Sequence, residues 1–380
     1  MKCNHMYGKL VFCLMSIIAV SCSNNNSEHN NEIFVDFKND SQANSVENIF
    51  NYSNYLDSVD YVTLETSENC IVGNVMDLHF VNDRIFLSDL KNVFVFAKDG
   101  KFISKVSGFG RGHGEYSALS FFDVNPSNDE ISIYDIGNKM IHVYSIKGDF
   151  LRNVRIEGIP RDFCVLSNGN YLFYTPDVME NHYRGVWQTD PEGTFINQPV
   201  VLSGYSKKVL LTSNNLIHLS NEEVGLLGPM GFDNIYHISS DKSEIAYQIT
   251  TNVTIAKSVL KDNTPGKISE QQLYFLMNYF ETKELVSFRM TDMKEKQMGV
   301  KFDKKTGKVY TEINNGQIGY RFRPGDKLPI RIGEERSDYG VALGTIDAPN
   351  LMQFSDLQKQ IAPDCTMESN PVVCLYYYKQ

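Results

Sequence analysis

The sequence predicts an all-β fold of repeated four-stranded antiparallel sheets, which is the architecture of a β-propeller. One repeat places NDRIFLSD (residues 82–89) over NDEISIYD (residues 128–135), 46 positions later. A second places VFVFAKDGKFI (residues 93–103) over IHVYSIKGDFL (residues 141–151). The third observation is the aromatic content of 12%, with 21 Tyr and 23 Phe, because these residues favour pleated, half-buried surfaces.

Weaker copies of both repeats follow further along the chain. NGNYLFYT (168–175) and NNLIHLSN (214–221) resemble the first repeat, and VWQTDPEGTFI (186–196) resembles the second. Each copy of the first repeat has a polar turn followed by alternating apolar residues, as in a hairpin entering a half-buried strand. One unit is therefore four strands with a period of about 40–50 residues, which describes a propeller blade.

The second element of each unit contains a glycine between two runs of β-forming residues. These glycines are Gly100, Gly148 and Gly193, and we expect each to adopt a positive φ in a tight turn. About 320 residues at about 50 per blade give six blades. Because a single blade cannot bury both of its faces, the blades must pack around an axis.

The second half of the chain is less regular than the first. Residues 208–250 suit a fourth blade, and residues 287–313 return to hairpin spacing and suit a fifth. Between them, residues 267–286 predict an amphipathic helix, because five large apolar residues cluster at helical spacing. These five are Leu273, Phe275, Leu276, Tyr279 and Phe280.

Blade six is assigned to the remainder of the chain, with a short helix near residues 350–361. Residues 33–37 (IFVDF) alternate like a strand and precede the first repeat. We expect this segment to join the last blade and close the ring, since closure by both termini removes exposed sheet edges. The predicted fold is thus a six-bladed propeller with one or two short helical insertions in the C-terminal half.

The glycine-rich stretch GFGRGHGEY (residues 108–116) superficially resembles a phosphate-binding loop. Such a loop needs a helix after it, whose N-terminus supplies amides and a dipole, and this stretch precedes a strand and lacks GK[ST]. We interpret it as a crossing between blades. Its polar residues remain candidates for ligand binding: Arg111 and His113 on a pocket rim, with Arg111 suited to a carboxylate or sulfate. The alternative is that Arg111 pairs with Glu115 across neighbouring blades.

Residues 1–21 have the pattern of an export signal. Lys2 and Lys9 precede an apolar run, residues 10–20, which is too short to span a bilayer. The run ends in AVSC, which resembles a bacterial lipobox whose Cys22 receives a lipid. The alternative is an ordinary signal peptide with a coincidental cysteine. Residues 22–32 are polar and low in complexity, which predicts a flexible tether to a single domain over residues 33–380.

The net charge of −10 predicts that the chain does not bind nucleic acid, since no basic stripe offsets the repulsion. Four cysteines remain after Cys22. Cys365 and Cys374 lie close enough in sequence to pair, whereas Cys70 and Cys164 are as readily explained as buried thiols.

No linear motif for catalysis or metal binding is present. The eight histidines form no HExxH or Cys/His cluster, and there is no G-x-S-x-G elbow. We therefore predict no cofactor and no metal. Two residues on the presumed first strands are placed near a channel wall, His79 in MDLHF and Asp123 in SFFDV. His142 and His218 alternate with apolar neighbours and are interpreted as strand residues rather than ligands.

Several of these segments resemble a known family. Residues 61–75, 95–103, 108–116 and 370–379 resemble the six-bladed β-propeller lipoproteins of Gram-negative bacteria, which are relatives of NHL-repeat propellers. The family usually has proline where this chain has His113. The resemblance implies the fold and an outer-membrane or cell-surface location, and it implies no single activity.

These observations favour a lipid-anchored, monomeric binding or scaffold protein that is not an enzyme. Its partner would be a glycan, a peptide or another envelope protein, bound where loops converge at the channel mouth. The candidate ligand-binding residues are Arg111, His113, His79 and Asp123, and Cys22 is the predicted lipidation site. The alternative function is a metal-dependent lyase or hydrolase with its site in the central channel.

Overall fold

Six successive sheets of antiparallel strands make up the fold, which is a six-bladed β-propeller. The computed structural model describes residues 31–37, 54–176, 183–202, 216–228, 233–252, 274–292, 297–314, 320–321, 330–331 and 336–379. The signal segment, Cys22 and the tether through residue 30 lie outside these residues. Within them, no helix has both the length and the apolar character needed to cross a membrane.

The first three blades use consecutive strands. Two strands precede them, β1 (Glu32–Val35) and β2 (Leu56–Thr63). Blade one contains β3 (Asp77–Val81), β4 (Arg84–Ser88), β5 (Val93–Ala97) and β6 (Phe102–Val106). Blade two contains β7 (Phe121–Val124), β8 (Ile131–Asp135), β9 (Met140–Tyr144) and β10 (Phe150–Arg155). Blade three contains β11 (Asp162–Val165), β12 (Tyr171–Thr175), β13 (Gly185–Thr189) and β14 (Phe195–Val201).

The remaining three blades follow, and the early strands β1 and β2 join two of them. Blade four contains β15 (Leu216–His218), β16 (Glu223–Leu227), β17 (Asn234–Ser239) and β18 (Ser243–Thr251), and blade five contains β19 (Tyr274–Glu281), β20 (Leu285–Asp292), β21 (Gln297–Asp303) and β22 (Val309–Asn314). A short hairpin follows, β23 (Tyr320–Arg321) and β24 (Ile330–Arg331). Blade six contains β25 (Arg336–Asp338), β26 (Val341–Ile346) and β27 (Val372–Tyr378), with helices α1 (Ala348–Leu351) and α2 (Ser355–Ile361) between β26 and β27.

The hydrophobic core is divided among the six junctions between blades. Each apolar cluster combines side chains from two neighbouring blades, and six such clusters complete the circle. Strands such as β4 (RIFLS) and β5 (VFVFA) are buried on both faces because a neighbouring blade covers each one. A fully buried Val, Leu or Phe side chain contributes about 1.5–3 kcal/mol, so the packing of blades against each other stabilises the ring.

The predicted turn glycines also permit close approach between blades. Gly100, Gly148 and Gly193 have φ values of 85°, 88° and 90°, as expected. A Cβ on Gly148 would lie 2.7 Å from the carbonyl oxygen of Lys105, on the outer strand of the preceding blade, and one on Gly193 would lie 2.6 Å from that of Arg155. The repeated glycine therefore permits a close backbone contact between blades as well as a tight turn.

The ring closes through β2, not through residues 33–37 as predicted. Strand β2 pairs antiparallel with β27, from Leu56 opposite Tyr378 to Thr63 opposite Val372, and forms the outer strand of blade six. The predicted closing segment instead forms β1, a fifth strand parallel to β18 of blade four. Ile33 and Val35 of β1 are fully buried between blades four and five, which explains its alternating pattern.

Two further predictions in the second half were wrong, and one is confirmed. The described part of the predicted helix over 267–286 is β-structure, with β19 beginning at Tyr274. The repeat copy at 214–221 lies on the first strand of its blade, β15, and not on the second. The helix predicted near residues 350–361 is present as α1 and α2, and Asp347 caps α1 by accepting the Asn350 N–H at 3.0 Å.

Candidate functional site

Polar side chains converge where the first strands of the blades surround the axis. The first strands β3, β7, β11 and β15 contact each other in sequence, and β25 contacts both β15 and β3. Each of these five strands contributes one side chain to a cluster there: His79, Asp123, Cys164, His218 and Asp338, and all five are fully buried.

Asp123 is the centre of this axial cluster. Its Oδ2 atom lies 2.8 Å from Nε2 of His218 and accepts the backbone N–H of Val165 at 2.6 Å. Its Oδ1 atom lies 3.4 Å from Nδ1 of His79. The carboxylate thus links the first strands of blades one, two, three and four.

His79 is surrounded by acceptors on both sides of its ring. Nδ1 lies 2.9 Å from Oδ2 of Asp338, and Nε2 lies 3.1 Å from the carbonyl oxygen of Phe122. A neutral imidazole carries a single N–H, whereas the imidazolium donates from both nitrogens. The two ring nitrogens of His79 thus each face an acceptor on a neighbouring blade, the Asp338 carboxylate and the Phe122 carbonyl.

The same cluster contains a set of atoms suited to a metal ion. One donor atom each from Asp123, Cys164 and His218 lies within 4.8 Å of the other two. Carboxylate, thiolate and imidazole are the groups that bind zinc in proteins. Cys164 and Cys70 are buried free thiols, as expected. Cys365 and Cys374 are also free, so the disulfide considered for this pair is not formed.

A separate pocket opens at the end of the propeller where the first strands of blades four to six finish. Its volume is about 320 Å³, and its walls include Glu281 from the end of β19, His237 from β17, Lys304 after β21, and Tyr339 after β25. Lys283 and Lys379 also line it. We call this the mouth pocket. Tyrosine rings, ammonium groups and a carboxylate therefore face one small cavity.

Glu281 is the buried anion of the mouth pocket. Only 4% of the residue is exposed, yet its carboxylate accepts hydrogen bonds from His237 Nε2 at 3.0 Å, from Lys304 Nζ and from the Tyr279 hydroxyl. Burial disfavours the charged form, but the His237 hydrogen bond and the Lys304 charge outweigh it and lower the pKa of Glu281. The pocket thus keeps an ionised carboxylate that is almost completely buried.

The neighbours of Glu281 shift in the opposite direction. Burial disfavours the charged imidazole of His237, but the hydrogen bond and charge of Glu281 outweigh this and raise its pKa. Burial and the Glu281 charge raise the pKa of Tyr279 well above its ordinary value. A concave pocket with several perturbed groups is the usual mark of a binding site.

The glycine-rich loop forms one side of another cleft, of about 590 Å³, with Asn138, His142 and Asn153 opposite. Arg111 and His113 are exposed and line it, and the His113 ring packs edge-on against Phe150 with centroids 5.2 Å apart. The alternative prediction, that Arg111 pairs with Glu115 across neighbouring blades, was wrong, because no such ion pair forms among the described residues. Glu115 accepts the backbone N–H of Gly112 at 2.6 Å and so folds the loop onto itself.

The four residues singled out from the sequence therefore lie in two places. His79 and Asp123 meet at the axis, and Arg111 and His113 line the loop cleft. Sequence reasoning missed Asp338, the axial role of His218, and the whole mouth pocket. Position on a first strand could have found His218, whereas Glu281 lay in a segment predicted as helix.

With this geometry described, the chain can be compared with known proteins. It belongs to the family described as "Domain of unknown function (DUF4934)", whose model matches residues 26–377. No curated protein is similar to it in sequence.

Solved structures share the fold, and two of them are from Bacteroides species. An exported-protein candidate from Bacteroides fragilis NCTC 9343 has a TM-score of 0.65 at 19% identity, covering 85% of this chain and 95% of its own. A member of the duf4221 family from Bacteroides vulgatus ATCC 8482 has a TM-score of 0.52 at 9% identity, covering 86% of this chain and 98% of its own. At these identities, the similarity supports the propeller and no activity.

Proposed function

We propose that this protein is an exported, lipid-anchored binding module that holds a glycan in the mouth pocket. The observation that carries the proposal is the ionised, buried Glu281 facing a pocket together with His237 and Lys304. A buried charge costs free energy unless it is paired, so such groups are retained where they serve recognition or structure. The pocket, at about 320 Å³, suits one or two sugar rings.

The chemistry of the walls favours a sugar over a purely anionic or apolar ligand. Sugar hydroxyls both donate and accept, so one ligand can satisfy the Glu281 carboxylate and the ammonium groups of Lys283 and Lys304. The partly exposed aromatic side chain of Tyr339 lines the pocket and offers a surface on which the apolar face of a sugar ring packs. A peptide C-terminal carboxylate would pair with the ammonium groups and would leave the Glu281 carboxylate without a donor from the ligand.

The alternative function, a metal-dependent lyase or hydrolase in the channel, needs substrate access to the axis. The side chains of His79, Asp123 and His218 have no exposure to solvent. This burial supports binding at the mouth rather than chemistry in the channel.

Export and anchoring are supported by the N-terminal sequence, with its lysines, its apolar run and Cys22. The structural neighbour from B. fragilis, described as an exported-protein candidate, is consistent with this. Labelling of cells with a radioactive fatty acid tests the anchor. We expect label on the wild-type protein and none on Cys22→Ser, and equal label on both would overturn the proposal.

A glycan array, followed by calorimetry with the bound sugars, tests the pocket. We expect Glu281→Gln and Lys283→Glu each to weaken binding by about 10-fold or more, since each removes a charge-assisted hydrogen bond. Lys242→Glu, on the exposed edge of blade four and outside the pocket, is the control and should bind like wild type. Binding that survives both pocket variants, or binding to a peptide array alone, would contradict the glycan proposal.

A further inference from the structure

Three potential metal ligands meet at the axis although they come from distant parts of the chain. Asp123 lies on β7 of blade two, Cys164 on β11 of blade three and His218 on β15 of blade four. Their donor atoms lie within 4.8 Å of one another, and each residue is fully buried. No local turn or shared strand requires this meeting, so it is a property of the folded ring.

Two atoms of this set have unused hydrogen-bonding capacity. Oδ1 of Asp123 and Nδ1 of His218 are buried, and neither has a hydrogen-bond partner among the described residues. Buried polar atoms are almost always hydrogen bonded, and an exception calls for an explanation, of which a bound ion is one. This observation is independent of the distances and points to the same place.

We propose that Asp123, Cys164 and His218 bind one Zn²⁺ ion, which fastens blades two, three and four together at the axis. A thiolate with an imidazole and a carboxylate selects a borderline-soft cation, whereas Ca²⁺ and Mg²⁺ prefer oxygen ligands alone. His218 binds as a neutral imidazole, which keeps its one N–H on the other ring nitrogen, so only the Cys164 thiol proton is displaced, and it leaves to solvent.

The surroundings define the ion as structural rather than catalytic. His79 contacts Oδ1 of Asp123 at 3.4 Å and is held in turn by Asp338 at 2.9 Å, so it orients the carboxylate from outside the ligand set. The Tyr339 ring stacks on His218, with centroids 5.0 Å apart and planes 14° apart. These contacts close the site to substrate. The proposal is independent of glycan binding, because the mouth pocket uses none of these three residues.

The test is the metal content of the full-length protein, purified in detergent after expression with added zinc. We expect about one zinc per chain in the wild type and less than about a tenth of that in Cys164→Ser. Cys374→Ser is the matched control, since Cys374 is also buried but lies on β27 of blade six, and it should retain the zinc.

Cobalt substitution gives a second readout that does not depend on stability. Co²⁺ bound by Cys164 should show a thiolate-to-metal charge-transfer band that is present in the wild type and in Cys374→Ser and absent in Cys164→Ser. If Cys164→Ser does not fold, the wild type alone decides, because chelation of zinc should then lower its unfolding temperature. A folded wild-type protein without zinc, or equal zinc in both serine variants, would overturn the proposal.

Discussion

The imidazole of His218, on the first strand of blade four, lies 2.8 Å from the carboxylate of Asp123, on the first strand of blade two. These blades are not neighbours, so the contact spans the axis. The backbone reinforces it nearby, where the N–H of Tyr339 in blade six donates to the carbonyl oxygen of His218 at 2.9 Å. The axis of this propeller is therefore bridged by protein groups at the level of His218.

Removal of the central carboxylate should strongly destabilise the ring. We expect Asp123→Ala to lower the free energy of unfolding by about 3–5 kcal/mol, because it leaves His218 and the Val165 N–H buried without their partner. Urea unfolding with a metal chelator present measures this without any contribution from an ion. Glu130→Ala, which breaks a partly exposed pair with Arg152, should cost about 1 kcal/mol or less. Equal losses in the two variants would contradict the assignment.

The pair of His237 and Glu281 should make stability depend on pH. The pKa of His237 is raised above its ordinary 6.5, so its contribution is complete below that pH and is lost as the pH rises through the raised value. The pKa of Glu281 is lowered, so its contribution is present above 4.5 and is lost on acidification through the lowered value. The stability difference between wild type and His237→Gln should therefore be larger at about pH 5.5 than at about pH 8.5.

His142 provides a control of opposite sign for that measurement. Burial lowers its pKa despite the nearby Asp135, so its contribution is present above 6.5 and falls as the pH drops below that value. The difference between wild type and His142→Gln should accordingly grow as the pH rises. The same trend in both variants would show that the pH effect arises elsewhere.

Gly114 in the glycine-rich loop should be intolerant of a side chain for two separable reasons. Its φ is +76°, and a Cβ there would lie 2.6 Å from the ring of Phe150. Gly307 has a φ of +71° with nothing within 4 Å of its Cβ position. We expect Gly307→Ala to cost about 1 kcal/mol for the backbone alone and Gly114→Ala about 2 kcal/mol more, from the clash. Equal unfolding midpoints would show that the loop yields.

A disulfide across the closing strand should test how the ring is joined. Tyr61 of β2 lies opposite Cys374 of β27, and antiparallel partners have Cα separations that a disulfide can bridge. Oxidised Tyr61→Cys should migrate differently on a non-reducing gel and should be more stable than its reduced form by up to about 4 kcal/mol. Tyr61→Ser should show neither effect. A failure to cross-link in the folded protein would contradict the register.

The regular part of the fold was predictable because each blade repeats the same turn chemistry. Asn82 and Asp83 both have positive φ, 50° and 55°, as a two-residue hairpin requires, and Asp129 in the second copy has a φ of 58° within a longer turn between β7 and β8. Composition and residue spacing are local properties of the chain. They therefore predict the first three blades, each of which is made from four consecutive strands.

The prediction of a helix over 267–286 failed for a specific reason. Strand β19 contains a bulge between Met277 and Phe280, with Asn278 at a φ of 54°. The bulge changes the phase of the alternation, so that Leu276 and Tyr279, three residues apart, both face the core. That spacing imitates a helix.

Strand β1 was assigned to the wrong blade. Its alternating pattern fits the uncovered edge of any blade, and the sequence does not specify which blade it joins.

The site was less predictable than the fold, because it is built from residues that meet only in the ring. His79 and Asp123 were found because both occupy first strands of recognisable repeats. Asp338 lies in the irregular blade six, and Glu281 depends on the bulge in β19 for its position. Burial and pairing, which distinguish these groups from surface charges, are not visible in a sequence.

The two early strands have different mechanical roles. A pull on the chain from its N-terminal end reaches β1 before β2, and β1 is held by its parallel pairing with β18 and by the buried side chains of Ile33 and Val35. Tension from a membrane attachment would then act on β1 and the outer edge of blade four, and the pairing of β2 with β27 would bear no load. In a single-molecule pulling experiment, β1 should detach at lower extension than β2, leaving the six-bladed ring intact.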